Sequence, residues 1–544
     1  MKRTTHALKT LFVLATVFVC SSSFAPARAA DRTPKEIADA VWKKTFAAKN
    51  DAQRMTLAEQ IHAALNKTTF PAREDGLFYA ALAALHVQES ATRLSALTFL
   101  VHARTSWPGL GDAKETPAIW AAFRKSFDDA QVMDDTVLTG AAVALAGSTL
   151  AEAEDTAFHF YNGLALYQSK RYPEALSQFQ KVSVTVEHYR RAKFLEALIH
   201  VELDHPAEAR EALQIVVSMD PSDAEKSSPL PSKSIARLRE LGVLNLARLT
   251  YEGGDFLASL AYYRTLMQDS TSFHTSLSEQ GWAFFMAGYP NRALGAQYAA
   301  TSPFFADKFS PDGYFFNAVL RYWMCDFEGA RTGLAKFVAH TRDEGDELRK
   351  RTASLQSFSE AERMFRYAKV YDDAKGGVSS RNVGLGPKTL ATLLSQDAPR
   401  DAHNALTGIT KRRLAMTKAV AKRQGGDRIL KAVTALEREL KIALGRRVSA
   451  SLGSLAADFD KSLGQARILY LEILTAKKDE LLGKERSVKG QEFVGNEKAF
   501  EEAFEASAAQ KWAQDKSEFW FDELGHYVFQ QESKCAAGVQ DDKK

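Results

Sequence analysis

The chain has 544 residues, 45% hydrophobic and 25% charged, the proportions of an ordinary globular helical protein and not of a disordered or collagen-like one. Lysine and arginine number 71 against 67 acids, and the four extra positive charges are Lys2, Arg3, Lys9 and Arg28. The remainder is formally neutral, so bulk charge points away from nucleic acid as a partner.

Lys2, Arg3 and Lys9 precede the apolar run Leu11 to Val19, and Ala27-Arg28-Ala29 offers small residues for cleavage near residue 30. This order predicts a secretory signal over residues 1–30 and a periplasmic or secreted mature protein. The run is too short to span a bilayer, and no later stretch of 18 apolar residues follows, so the mature form is predicted not to be membrane-spanning. A lipid-anchored assembly factor would be acylated at Cys20, but Val19 stands where a small residue is expected.

Residues 31–156 read as an N-terminal helical region. Apolar residues recur at three and four spacing, as in Ile37, Val41, Phe46, then Leu57, Ile61, Leu65, and Phe78, Leu82, Leu85. The segment is either degenerate repeats or a cap.

From 157 to 374 a period near 34 residues emerges. The turn positions are Tyr172, Pro206, Phe256, Pro290 and Phe327, spaced by 34, 50, 34 and 37. Nine residues before each lies a small residue (Gly163, Ala197, Ala247, Gly281, Ala318), and three after lies another (Ala175, Ala209, Ser259, Ala293, Ala330). Seven after come Phe179, Leu213, Tyr263 and Leu334, with Gln297 the departure. Small residues at such positions let paired helices approach and bury a shared face.

These residues, clearest in Gly163 to Leu176 and Leu246 to Leu260, resemble the tetratricopeptide repeat family over about a third of the chain. The resemblance implies an all-α fold, a solenoid of helical hairpins, and protein binding as the function. It names no ligand.

In that family the first helix of each pair faces a concave groove. Positions twelve, eight and five before each turn would then line it: Phe160, Leu164, Tyr167; Phe194, Leu198, Val201; Leu244, Arg248, Tyr251; Ser278, Trp282, Phe285; Phe315, Val319, Tyr322. Each trio lies on one helix face. The lining is apolar and aromatic, which suits an amphipathic helix or an apolar extended segment and not the Lys and Asn clamp that some members use for a peptide carboxylate. The same face is open to internal filling by the chain's own arm or tail.

Residues 222–234 are rich in Ser and Pro and are expected as an exposed loop, and 375–404 as a linker or hinge. Residues 405–489 follow as a long helical hairpin or coiled coil, with apolar residues at Ile429, Val433, Leu436 and Leu440 and again from Leu452 to Ile473. Gly445, Gly453 and Gly464 should weaken this arm by about 1 kcal/mol each and predict a bend or break. From Lys411 to Arg447 it holds twelve Lys or Arg against three acids. That is either a contact for anionic headgroups or an acidic partner, or a solvated helix face.

In the tail, residues 490–544, Trp512, Phe519, Trp520, Phe521, Tyr527 and Phe529 are too costly to leave in water, so the tail should fold back onto the body. Ser517 to Phe529 with the following Ser533-Lys534-Cys535, and Ser302 to Tyr314 with the Cys325 repeat, are similar to periplasmic repeat proteins of delta-proteobacterial envelope machineries, some of which serve adventurous gliding motility. Signal cleavage would leave Cys325 and Cys535 as an isolated pair in an oxidising compartment. There they are either bridged or two unrelated thiols.

Sequence patterns for catalysis are missing: no HisGluXXHis, paired CysXXCys, GlyXSerXGly or phosphate-loop motif. Gly384 to Thr389 imitates a phosphate loop but is broken by Pro387. His200 and His205 are five apart, which suits neither helix face for metal chelation. No cofactor is expected. A peptidoglycan-processing lytic enzyme with a helical superhelix is the enzymatic alternative, but the C-terminal stretch has no room for its catalytic domain.

Overall fold

A computed structural model describes residue 53 and residues 156–185, 188–221, 231–420, 426–482, 512–513 and 519–535. The signal segment with Cys20 and, save residue 53, the 31–155 region lie outside the described residues. The fold is all-α. Its helices are α1 (Thr156–Gln168), α2 (Tyr172–Phe179), α3 (Tyr189–Glu202), α4 (Pro206–Ser218), α5 (Pro231–Glu252), α6 (Phe256–Arg264), α7 (Phe273–Met286), α8 (Pro290–Ala300), α9 (Pro311–Trp323), α10 (Phe327–Gln356), α11 (Glu360–Lys375), α12 (Ser380–Val383), α13 (Pro387–Ser395), α14 (Asp397–Val420) and α15 (Gly426–Leu481). The described extended structure is one parallel pairing of two-residue strands, β1 (Trp512–Ala513) and β2 (Tyr527–Val528). Two compact units divide the chain: Met1–Ile199 with Asp220–Ser232 and Arg400–Leu444, and His200–Met219 with Lys233–Pro399 and Gly445–Lys544.

All five sequence-predicted turns share one backbone geometry. Two residues before each turn position the chain is left-handed, at Lys170 (φ 58°), Asp204 (59°), Gly254 (80°), Gly288 (89°) and Cys325 (55°). The next N–H, that of Arg171, His205, Asp255, Tyr289 or Asp326, donates to the carbonyl five residues back at 2.8–3.0 Å. The left-handed residue donates to the carbonyl three back. These paired bonds are the Schellman closure, which satisfies carbonyls a helix end leaves orphaned. The same capping residue's carbonyl then accepts from the N–H four residues on, starting the next helix. A left-handed residue costs a non-glycine roughly 1–2 kcal/mol, so Lys170, Asp204 and Cys325 adopt it because the closure demands it.

The small positions are closed. Ala175, Ala197, Ala209, Ala247, Ser259, Ala293, Ala318 and Ala330 are all 0% exposed. The residues seven after the turns fill the space beside them, and the odd Gln297 is buried like the rest, its Nε2 donating to the Ser278 carbonyl at 3.0 Å. Proline opens α4, α5, α8, α9 and α13, where its missing N–H leaves no helical bond unmade.

In the second unit, Leu244, Leu260, Tyr263, Phe284, Phe285, Leu294, Phe316 and Leu320 form one core. A neighbouring core joins Phe315, Leu334 and Phe337 to Ala466, Leu469 and Ile473 of α15. The arm is not broken at its glycines, for α15 is a single 56-residue helix. Its glycines have separate explanations. A Cβ on Gly445 would fall 2.0 Å from the Met364 carbonyl oxygen, so the missing side chain lets α11 lie against α15, whereas Gly453 and Gly464 face open space. In the first unit, Thr410 and Arg413 of α14 both reach Glu437 of α15.

The 375–404 linker expectation is corrected: this stretch holds α12, α13 and the start of α14, with Val383, Leu385, Thr389, Leu393 and Ala402 buried. Gly384 ends α12, and Gly386 and Pro387 open α13. Of the expected 222–234 loop, residues 231–234 belong to the start of α5, and 222–230 lie outside the described residues.

Residues 519–535 form a strap on α7 and α8. Leu524 and Tyr527 are buried with Phe273, Leu277, Ala299 and Ala300. Phe519 stacks on Tyr298 at 4.5 Å, and Tyr527 and Phe529 meet the same ring edge-on. The strap backbone crosses α8 at Gly295, where a Cβ would lie 1.7 Å from the Tyr527 carbonyl oxygen. Two of the tail aromatics, Trp520 and Phe521, stay 55% and 45% exposed, so the burial expected for all of them holds only for part.

Candidate functional site

The structure separates the groove trios into three kinds of position. Tyr167, Tyr251 and Tyr322, five before an aromatic turn residue, pack on that residue's ring: Tyr172 at 6.0 Å, Phe256 at 5.3 Å and Phe327 at 5.8 Å. They brace the turns while staying partly exposed. Phe160, Phe285 and Phe315 are core residues, buried to within 7%. Phe160 stacks on His188 at 4.7 Å in the first unit. Phe194, Leu198 and Trp282 are half-buried and Val201 is 44% exposed.

Trp282 is held in place by a stack on Phe316 with ring centroids 3.7 Å apart. Phe316 also takes Phe285 edge-on. This ladder fixes the indole rotamer from one side and leaves the ring partly open, the arrangement of an aromatic anchor.

The last trio is covered from within. Leu463, Ala466, Leu469 and Ile473 of α15 lie on Phe315, Val319 and Tyr322, and Lys477 reaches Glu328 at the fifth turn. The arm's apolar stripe therefore covers the last trio, while Val201, Tyr251 and Trp282 of the other second-unit trios stay at least partly exposed.

Two polar centres escaped sequence reasoning. Arg248, one of the groove positions, makes a two-pronged pair with Glu279, at 3.1 and 2.6 Å to one carboxylate oxygen, and Tyr263 donates its hydroxyl to the other at 2.9 Å. Burial and then the Glu279 charge push the Tyr263 phenol far up, so it stays protonated. Burial would lower the Arg248 guanidinium, but its bonds to Glu279 outweigh that and raise it. The pair ties α5 to α7.

Asp326 caps α10 through the Gly329 N–H and takes Lys534 at 2.7 Å and Arg321 at 2.9 Å, with its side chain 7% exposed. Burial acts to raise its pKa, but the bonds from Lys534 and Arg321 win and hold the carboxyl below its ordinary range. Beside it, Cys325 and Cys535 form a disulfide, and the Lys534 N–H donates to the Met324 carbonyl at 2.9 Å. Acids with a basic residue three or more positions away are too common for sequence to have singled out either centre.

The loop that imitates a phosphate site is filled by the protein itself. Glu344 accepts from the Lys388 N–H (3.0 Å), the Thr389 N–H (3.0 Å) and the Thr389 hydroxyl (2.9 Å). A carboxylate thus occupies the helix N-terminus where an anion would bind. His200 and His205 close the second turn with rings 5.8 Å apart, and no group of metal-ligating side chains exists among the described residues. The basic stretch presents Lys411, Lys431 and Arg438 to solvent and spends Arg413 on Glu437.

No helix among the described residues is long and apolar enough to cross a membrane. Comparison with known protein families and with curated proteins finds no match for this chain.

Proposed function

We propose that this protein is a non-enzymatic, tetratricopeptide-like scaffold that works outside the cytoplasm and holds an apolar helix or extended segment of a partner protein within an envelope-associated complex. The observation that carries this reading is the fivefold recurrence of one turn geometry at the positions the repeat spacing marks. A chain that closes successive helix pairs in the same way presents their first helices on a common side. There Trp282 and Tyr251 are rigid, partly exposed aromatics, and Val201 adds an exposed apolar side chain to the same series. Anchors of this sort lose about 2 kcal/mol or more of binding when truncated. The signal-like segment supports export, and the similarity of the 302–314 and 517–535 stretches to envelope proteins supports the compartment and, by extension, a motility or envelope role.

The test is a photo-crosslinking side chain placed at Tyr251 or Trp282 in the full chain expressed in its own cells, with Leu257 on α6 as the comparison site. A discrete adduct from the first two and none from Leu257 is the expected result. Equal adducts at all three sites, or adducts with a precursor retaining residues 1–29, would remove the binding face or the export step respectively.

A further inference from the structure

The strap is held in two different ways along its length. From Phe519 to Phe529 burial holds it: Leu524 and Tyr527 lie in the core of α7 and α8, Phe519 stacks on Tyr298, and Phe529 packs against the core that contains Leu294. From Gln530 to Cys535 it has no apolar side chain other than the cysteine. There Gln530, Glu532, Ser533 and Lys534 are exposed, and Gln531 and Cys535 are half-buried.

Apart from the disulfide, this end is tied to the body by polar contacts. The Gln531 N–H donates to Asn291 Oδ1 at 3.0 Å and the Lys534 N–H to the Met324 carbonyl at 2.9 Å. The Lys534 and Gln531 side chains reach Asp326 at 2.7 and 3.2 Å, with the lysine side chain 61% exposed. Exposed contacts of this kind contribute little against the entropy of ordering six residues. The covalent bond therefore decides whether the end stays down.

The two sulfurs are unequal. Cys325 is fixed without the bridge: its N–H donates to the Tyr322 carbonyl at 3.0 Å as part of the turn closure, and α9 and α10 run out on either side of it. Cys535 has no such hold, since its N–H turns to the Ser533 hydroxyl within the strap at 3.3 Å. Opening the bridge also strands no buried charge. Asp326 loses Lys534 but keeps Arg321 at 2.9 Å and the Gly329 N–H, while Lys534 passes into water.

We propose that the Cys325–Cys535 bridge is a thiol–disulfide exchange site that receives an incoming thiol on Cys535. The incoming thiolate attacks Cys535 Sγ and forms a new S–S bond there. The Cys325–Cys535 bond breaks, and its electron pair leaves on Cys325 Sγ, which takes a proton from water. No oxidant or reductant is consumed. The adduct moves out with residues 530–535, while Phe519 to Phe529 stay docked. Cys325 remains at the turn, placed to attack the adduct and restore the bridge, so the attachment is reversible. The site asks only for a thiol, carried by a small molecule or by the cysteine of another protein, and it does not depend on the Tyr251 and Trp282 face binding anything.

The full chain, with its bridge formed and without denaturant, is tested with a mixture of reduced and oxidised glutathione and separately with a small folded protein bearing one surface cysteine. Free thiols are then alkylated and the peptides mapped. Glutathione on Cys535 with alkyl on Cys325 is expected at about tenfold the yield of the reverse arrangement. Adducts from both probes would assign the site to protein thiols as well, and an adduct from glutathione alone to small ones. On opening, amide exchange at Gln531 and Lys534 should quicken by about tenfold or more and stay slow at Leu524 and Tyr527. A bridge that resists both probes until the protein unfolds would overturn the proposal, as would adducts shared equally by the two cysteines or gathered on Cys325. Protection lost along the whole strap would overturn it too, since the bridge would then pin the buried half as well.

Discussion

Cys325 and Cys535 lie 210 residues apart in the chain and 4.9 Å apart at their Cα atoms, joined by a disulfide at the corner of the fifth helical turn. Cys325 is also that turn's left-handed residue. One position thus closes the turn and fastens the strap that runs over α8.

A loop of this size predicts a substantial loss on opening. The loop-entropy model gives up to roughly 5 kcal/mol, with less usually realised. Cys325→Ser, Cys535→Ser and the double variant should lower the melting temperature equally, because each removes the same bridge. Two single variants that differ widely, or a double variant much worse than either, would mean that the cysteines act separately.

The Asp326 centre predicts an acid response of defined sign. Its folded pKa lies below its ordinary value of 3.8, so its contribution is fully present above that value and is lost as pH falls through the lower folded value. Denaturant midpoints measured between pH 5 and pH 2 should fall less steeply in Lys534→Met than in the unsubstituted protein. Parallel curves would show that the Lys534 contact carries none of the acid response.

His274 adds an earlier step. Burial lowers its pKa below 6.5, opposed by its bond to the Ala300 carbonyl. The folded ring is neutral while the unfolded one takes up a proton, so stability should begin to fall as pH drops through about 6.5 and stop falling at the folded pKa. His274→Gln should flatten the stability curve in that window. An unchanged slope would exclude this ring as the source.

Within α15, two glycines predict opposite outcomes. Gly453→Ala meets nothing within 4 Å and should raise stability by about 0.5–1 kcal/mol through helix propensity. Gly445→Ala would press on the Met364 carbonyl and should cost stability despite the same propensity gain. Equal shifts in thermal melts would show that α11 does not hold the arm at this point.

Glu344 predicts a loss without a change of shape. Glu344→Gln keeps one acceptor oxygen but removes the charge at the N-terminus of α13, and about 1–2 kcal/mol should go with it in chemical denaturation. No loss would mean that Thr389 finds another partner.

The five turns were legible because their physics is local. A Schellman closure spans six residues, and the small and bulky positions around it recur with the repeat, so Tyr172, Pro206, Phe256, Pro290 and Phe327 could be marked without knowing what lies beyond each helix pair. The continuous α15 was half legible: its apolar spacing predicted the helix, but Gly445 looked like Gly453, since only the approach of Met364 tells them apart. The 375–404 segment was misassigned for the same reason. Gly and Pro mark the ends of short helices and of linkers alike, and the choice turned on Glu344, more than forty residues away, capping α13. Within the trios before each turn, sequence could not say which aromatics would brace turns, enter the core or stay open, because α15 covering Phe315 and Tyr322 is a long-range event. Local backbone closure and periodicity are short-range and written in neighbouring residues, whereas burial depends on which distant surface arrives.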